Sequence, residues 1–181
     1  ADLDFATRKL TPVLSWRLYG NGRVTVVTIR LEPSCGAIAR QILDGLPEWF
    51  GLPDSVDDYV QHVERTSTFV ARDNASAAIG FISLSPQTRA TSEILVMGID
   101  KAHHRMGIGT QLLSAAESSQ KEYGTRYLSV KTLAPTHPDP FYEKTRAFYY
   151  ANGFDPVEIL PSLWGPENPC LLMIKCIAAT H

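Results

Sequence analysis

The sequence predicts a mixed α/β domain, a single layer of β-sheet with helices packed on it. Segments rich in β-branched residues alternate with segments of helical apolar spacing in the order β-α-α-β-β-β-α-β-α-β-β. One strand segment, Glu93–Ile99, is apolar almost throughout, which marks a central strand covered on both faces. That segment leads through a short loop into two glycines and a helix. With 181 residues, the expected layout is an N-terminal arm over 1–22 with no assigned role and one domain over 23–181.

The elements follow in order. Val24–Leu31 reads as a strand. Ile38, Ile42, Leu43 and Leu46 recur at helical spacing, with Ser34 as the expected N-cap and Gly45 and Pro47 as the stop. A second helix, capped by Asp54 or Ser55, carries Tyr59, Val60 and Val63. Thr68–Arg72 and Ala78–Leu84 flank Asp73-Asn74 as a hairpin. Glu93–Ile99 is the central strand, and Gly98 inside it suggests a bulge or a close backbone approach. The helix from Ile108 places Leu112, Leu113, Ala116 and Tyr123 on one face and ends at Gly124. Tyr127–Leu133 is a strand, Phe141–Ala151 a helix stopped by Asn152-Gly153, and Phe154–Leu160 and Cys170–Cys176 are the last strands.

Composition narrows the function. Lys+Arg 17 against Asp+Glu 19 provides no basic field for nucleic acid, so an anionic ligand must be held locally. No apolar run approaches the ~18 residues of a membrane span, and residues 1–10 lack the apolar stretch of a signal peptide. Three cysteines make no disulfide framework and fit a reducing, cytoplasmic setting. Cys170 and Cys176, an even number apart, are expected as buried thiols on one side of their strand. His103 and His104 lack companion ligands at metal spacing, so no metal is expected.

The segment that carries chemistry is Ile99–Thr110. Glycines admit a ligand close to the backbone, and a helix starting there contributes about half a positive charge, so the turn suits phosphate oxygens. A Walker loop fails because Thr110-Gln111 follows Gly109, and a dinucleotide fingerprint fails because Leu112 fills the third small position. A plain strand-to-helix turn stands beside the phosphate reading.

The run His104-Arg105-Met106-Gly107-Ile108-Gly109 resembles the phosphate loop of the GNAT superfamily of N-acetyltransferases, with His104 where that family has Gln or Arg. Phe148-Tyr149-Tyr150-Ala151-Asn152-Gly153-Phe154 is similar to the family's second landmark. The resemblance covers about Val24 to Cys176. It implies a central, mostly antiparallel sheet with splayed middle strands, acetyl-CoA as co-substrate and a primary amine, small-molecule or peptide, as acceptor. It further implies that backbone around Met97, Gly98 and Ile99 meets the pantetheine arm and that Arg105–Thr110 hold the pyrophosphate, with His104, Tyr142 and Phe148 alongside. Homodimerisation through an edge or C-terminal strand is a further implication.

Tyr149 is the expected acid toward the leaving thiolate, with a core aromatic as its plain reading. Glu93 is the expected base for the ammonium, with an exposed strand-end charge as its plain reading. Trp49 and Phe50 either wall the acceptor pocket or cap the core. Lys144 or Arg146 is a candidate phosphate contact, or a solvated charge. A non-catalytic acyl-CoA-binding module stands as the alternative to the enzyme.

Overall fold

The structure is a computed structural model and describes residues 14–20 and 23–178. The expected Asn21-Gly22 turn and residues 1–13 of the expected arm lie outside the described residues. The strands are β1 (Leu14–Gly20), β2 (Arg23–Glu32), β3 (Thr68–Arg72), β4 (Ala78–Pro86), β5 (Thr91–Ile99), β6 (Tyr127–Leu133), β7 (Asp155–Leu160) and β8 (Cys170–Cys176). They form one eight-stranded sheet in the order β1-β2-β3-β4-β5-β6-β8-β7. Every neighbouring pair is antiparallel except β5 and β6. The helices are α1 (Gly36–Asp44), α2 (Pro53–Arg65), α3 (Ile108–Glu122) and α4 (Pro140–Ala151). Part of the expected arm is therefore a strand, because Leu14–Gly20 pairs along its whole length with β2.

Each face of the sheet has its own core. Ile108, Leu112, Leu113 and Ala116 of α3 bury Val27, Ile29, Phe69, Ile82, Ile94 and Val130 on one face. On the other, α1 and α2 bury Val70, Phe81 and Val96 beneath Ala39, Ile42, Leu43 and Val63. Ile94 and Val96, two residues apart, should share a face, yet they lie in different cores. Ser83 pairs with Val96 and Leu84 with Ile94, so Leu95 is an extra residue in β5 and reverses the alternation. The bulge is thus at Leu95 and not at Gly98. Gly98 is instead a close approach: a Cβ there would lie 3.0 Å from Ile42 Cγ2 and 3.1 Å from Phe81 Cε1.

Several local expectations are corrected. Ser34 is not an N-cap; it sits at φ 51 and Cys35 takes the cap position without a side-chain bond. Glu64 of α2 supplies the missing acceptor, taking the Gly36 N–H at 2.9 Å. Leu52 is the α2 N-cap, with Pro53 at the first turn and Asp54 following as a dipole-complementing acid. Tyr123 is exposed at the α3 C-cap and does not join the core face. Cys170 is buried as expected, but Cys176, at the strand end, is exposed. The hairpin holds: Asp73 Oδ1 accepts the N–H groups of Ala75 and Ala77 at 2.9 Å.

Gly98→Val should destabilise the domain by about 1–3 kcal/mol, because Ile42 and Phe81 are buried and cannot give way without strain. Urea unfolding read by circular dichroism checks this; an unchanged midpoint would mean that α1 can lift off β5.

Candidate active site

β5 and β6 pair only from Thr91↔Tyr127 to Ile94↔Val130. Beyond the Leu95 bulge they part. The Asp100 N–H bonds to Ile79 O of β4 at 3.0 Å, and alternation then directs the backbone groups of Val96 and Gly98 toward β4. Those of Met97 and Ile99 point into the gap. A cavity of about 660 Å³ occupies it, lined by Met97–Ile99, the Gly107–Thr110 turn, Lys131, Thr132, Tyr149 and residues of the α1–α2 loop.

The glycine turn closes one end. Gly107 has φ +78 with open space where a Cβ would point, so glycine there answers a left-handed backbone. Gly109 answers crowding: a Cβ would lie 3.0 Å from Ile99 Cδ1 and 3.1 Å from Phe148 Cε2. The first α3 amide with an internal partner is that of Gln111, bonded to Gly107 O. Among the described residues the N–H groups from Arg105 to Thr110 have no acceptor, and they cluster where the helix dipole favours an anion.

His104 lines the cavity at the entry to the turn. Its N–H bonds to Lys101 O at 3.2 Å, and its Nε2 donates to Ile99 O at 2.7 Å. The imidazole therefore ties the turn to the end of β5, and the Ile99 carbonyl is already engaged. The free amides begin one residue later. Among the described residues no cluster of three or more His, Cys, Asp or Glu side chains is placed to hold a metal ion.

Pro140 at the first turn and Asp139 as N-cap, accepting the Phe141 and Tyr142 amides, start α4. Tyr149, 5% exposed, lines the cavity between the rings of Phe148 and Phe154, each 5.3 Å away. Its hydroxyl has no hydrogen-bond partner among the described residues, and burial pushes its pKa well above the ordinary tyrosine value. Tyr142 lines the cavity, and its hydroxyl donates to Trp49 O at 2.8 Å. Arg146 is also corrected, being buried and bonded to Leu133 O at 2.8 Å, unavailable to a phosphate. Lys144 lines the cavity with its ammonium over the Phe141 ring.

Trp49 and Phe50 both line the cavity. Their loop is tied across the cleft: Trp49 Nε1 donates to Thr145 Oγ1 at 3.0 Å, and Glu48 pairs with Lys101 at 2.7 Å. The Lys101 hydrogen bond holds the Glu48 carboxyl below its usual range. Glu93 is no exposed strand end. It is 8% exposed, and its Oε2 accepts from Lys131 Nζ at 2.7 Å. The sequence reading missed Lys131, Thr132, Tyr59 and Trp164, all of which line the cavity. A charged residue, Lys131, within the strand segment Tyr127–Leu133 was the available signal; Thr132 Oγ1, buried without a partner, left none.

Residues 64–156 match the acetyltransferase (GNAT) domain family model. No curated protein sequence matches the chain. Three solved structures share the fold. An aminoglycoside 6'-N-acetyltransferase complexed with coenzyme A is 21% identical, with 80% of this chain and 93% of that one aligned at a TM-score of 0.63. Ard1 from Thermoplasma volcanium is 19% identical, over 84% and 99%, at 0.67. A GNAT family acetyltransferase from Elizabethkingia anophelis with acetyl-CoA bound is 18% identical, over 83% and 97%, at 0.64.

Burial, with Tyr59 and Asp139 adding, pushes the Tyr142 pKa up to about 12. The folded state thus keeps a proton that the unfolded chain loses near pH ~10, so stability falls as pH rises from there through about 12. Tyr142→Phe should cost about 1 kcal/mol at pH 7 by stranding the Trp49 carbonyl. It should also flatten the alkaline decline. Unfolding curves across pH 8–12 check both, and an unaltered alkaline slope would assign the decline to other groups.

Proposed function

Because the chain belongs to the GNAT acetyltransferase family, an acyltransferase family, we propose that it transfers an acetyl group from acetyl-CoA to a primary amine by direct attack in a ternary complex. The observation that carries the reading is the row of unpartnered amides from Arg105 to Thr110, at the head of α3 and beside the gap between β5 and β6. These amides fit a diphosphate, and the gap-facing backbone of Met97 with the N–H of Ile99 fits the amides of a pantetheine arm. Bound acetyl-CoA supplies an activated thioester acetyl group. The protein supplies position: an amine and a thioester held in one cleft react as if at high effective concentration.

Glu93 takes up the proton of the incoming amine. Its Oε2 is held by Lys131 and the carboxylate does not line the cavity, so the proton reaches Oε1 through water. Tyr149 keeps its proton on Oη throughout the neutral range and directs it at the departing sulfur. A thiol has a pKa near 8.5 and this phenol sits above ~10, so the proton is shared as a hydrogen bond rather than handed over outright. The charge building on the acetyl oxygen needs a donor at the splayed strands, and the outward N–H of Met97 fits that role.

Titration calorimetry with coenzyme A should give saturable heat at a 1:1 ratio; absence of heat removes the reading. In thiol-release assays Tyr149→Phe should lower kcat by about 100-fold while coenzyme affinity stays within about twofold. Turnover near wild type would remove Tyr149 from the mechanism and leave it a core aromatic. Glu93→Gln should abolish the acidic limb of the kcat/KM profile; an unchanged limb assigns the base elsewhere.

A further inference from the structure

The geometry points to the acceptor's chemical class: a small monoamine on an apolar, aromatic body, with no second cationic group. This rests on the acetyltransferase reading and narrows its substrate. The cavity wall includes Leu46, Trp49, Phe50, Tyr59, Tyr142 and Trp164. Phe50 and Tyr59 meet edge to face at 6.0 Å, and burial raises the Tyr59 pKa, so its phenol stays neutral. Such a wall buries rings and methylenes favourably, and its ring faces tolerate one ammonium before it loses its proton.

The charge pattern excludes polycations. Among the described residues no aspartate or glutamate lines the cavity, whereas Arg105 and Lys144 do, with Lys131 already paired to Glu93. Of the acids on the surrounding elements, Glu93 pairs with Lys131, Glu48 with Lys101 and Asp57 with Arg40, while Asp58 and Asp139 stand near Tyr59 and Tyr142 without lining the cavity. A second ammonium on the acceptor would enter a cleft of its own sign, shedding water with no carboxylate to replace it. The same cations suit the phosphates of the coenzyme. The α1–α2 loop is tied to Lys101, Tyr142 and Thr145 across the cleft, which encloses the wall on that side and suits a small body over a peptide chain.

The test has two arms. Coenzyme A binding by calorimetry examines the acetyltransferase reading alone. Thiol-release rates at saturating acetyl-CoA then compare phenethylamine and tryptamine with spermidine, kanamycin and an apolar tripeptide bearing a free amino terminus. The arylalkylamines should exceed both polycations in kcat/KM by at least about 100-fold. A polycation or the peptide performing as well, or no amine of the panel reacting in a protein that binds coenzyme A, overturns the inference. Trp164 is 42% exposed, so Trp164→Glu should fold. By adding a carboxylate it should narrow the spermidine deficit by about tenfold; an unchanged ratio would mean that lining charge does not set the choice. Phe50→Ala should raise KM for phenethylamine about tenfold with coenzyme affinity unaltered, and an equal loss of coenzyme affinity would overturn its place in the acceptor wall.

Discussion

The site depends on one extra residue. Leu95 is inserted in β5 opposite the Ser83–Leu84 step of β4, and three consequences follow from that mismatch. The side-chain alternation reverses, so Ile94 belongs to the α3 core and Val96 to the α1–α2 core. Parallel pairing with β6 ends at Ile94. The backbone of Met97 and Ile99 is left facing a gap in the middle of an otherwise continuous sheet. A bulge bends its strand and increases the local twist, and here it separates the strands at the place where the glycine turn delivers free amides.

Around that gap the protein spends its own polar groups on rigidity. The His104 imidazole bonds the Ile99 carbonyl, Phe148 packs over Gly109, and Arg146 bonds the Leu133 carbonyl at the end of β6. The α1–α2 loop reaches across to α4 through Trp49 and Tyr142. The amides from Arg105 to Thr110 remain exempt from this pairing, as do the hydroxyls of Tyr149 and Thr132. The division of labour is physical. Groups satisfied within the chain fix geometry, and buried or dipole-aligned groups left unsatisfied carry a cost that a ligand can relieve.

Much of the fold was legible because it is written locally. The period-two and 3.6-residue apolar patterns located the elements, and Gly124, Asn152-Gly153 and Asp73-Asn74 ended or turned them. The glycine turn was legible for the same reason: a left-handed Gly107 opening an apolar helix is a local requirement. Errors fell where a partner distant in sequence intervened. Ser34 resembles an N-cap, but Glu64 does the work from α2. β1 lacks a sharp pattern and is defined by its pairing with β2. Arg146 resembles a solvent-facing phosphate contact, yet it is buried and bonded to the Leu133 carbonyl.

By itself the sequence determined the order of the elements, the two-sided burial of β5, the glycine turn at the head of α3 and the family those motifs resemble. Each depends on residues within a few positions of one another, where backbone preference and periodicity act directly. Only the tertiary structure decided where β5 changes face, that Glu93 is paired with Lys131, and that Trp49, Phe50 and Tyr59 share a wall with Trp164. Those facts arise from register and side-chain contact between segments up to a hundred or so residues apart, and neither is encoded in the spacing of any one segment.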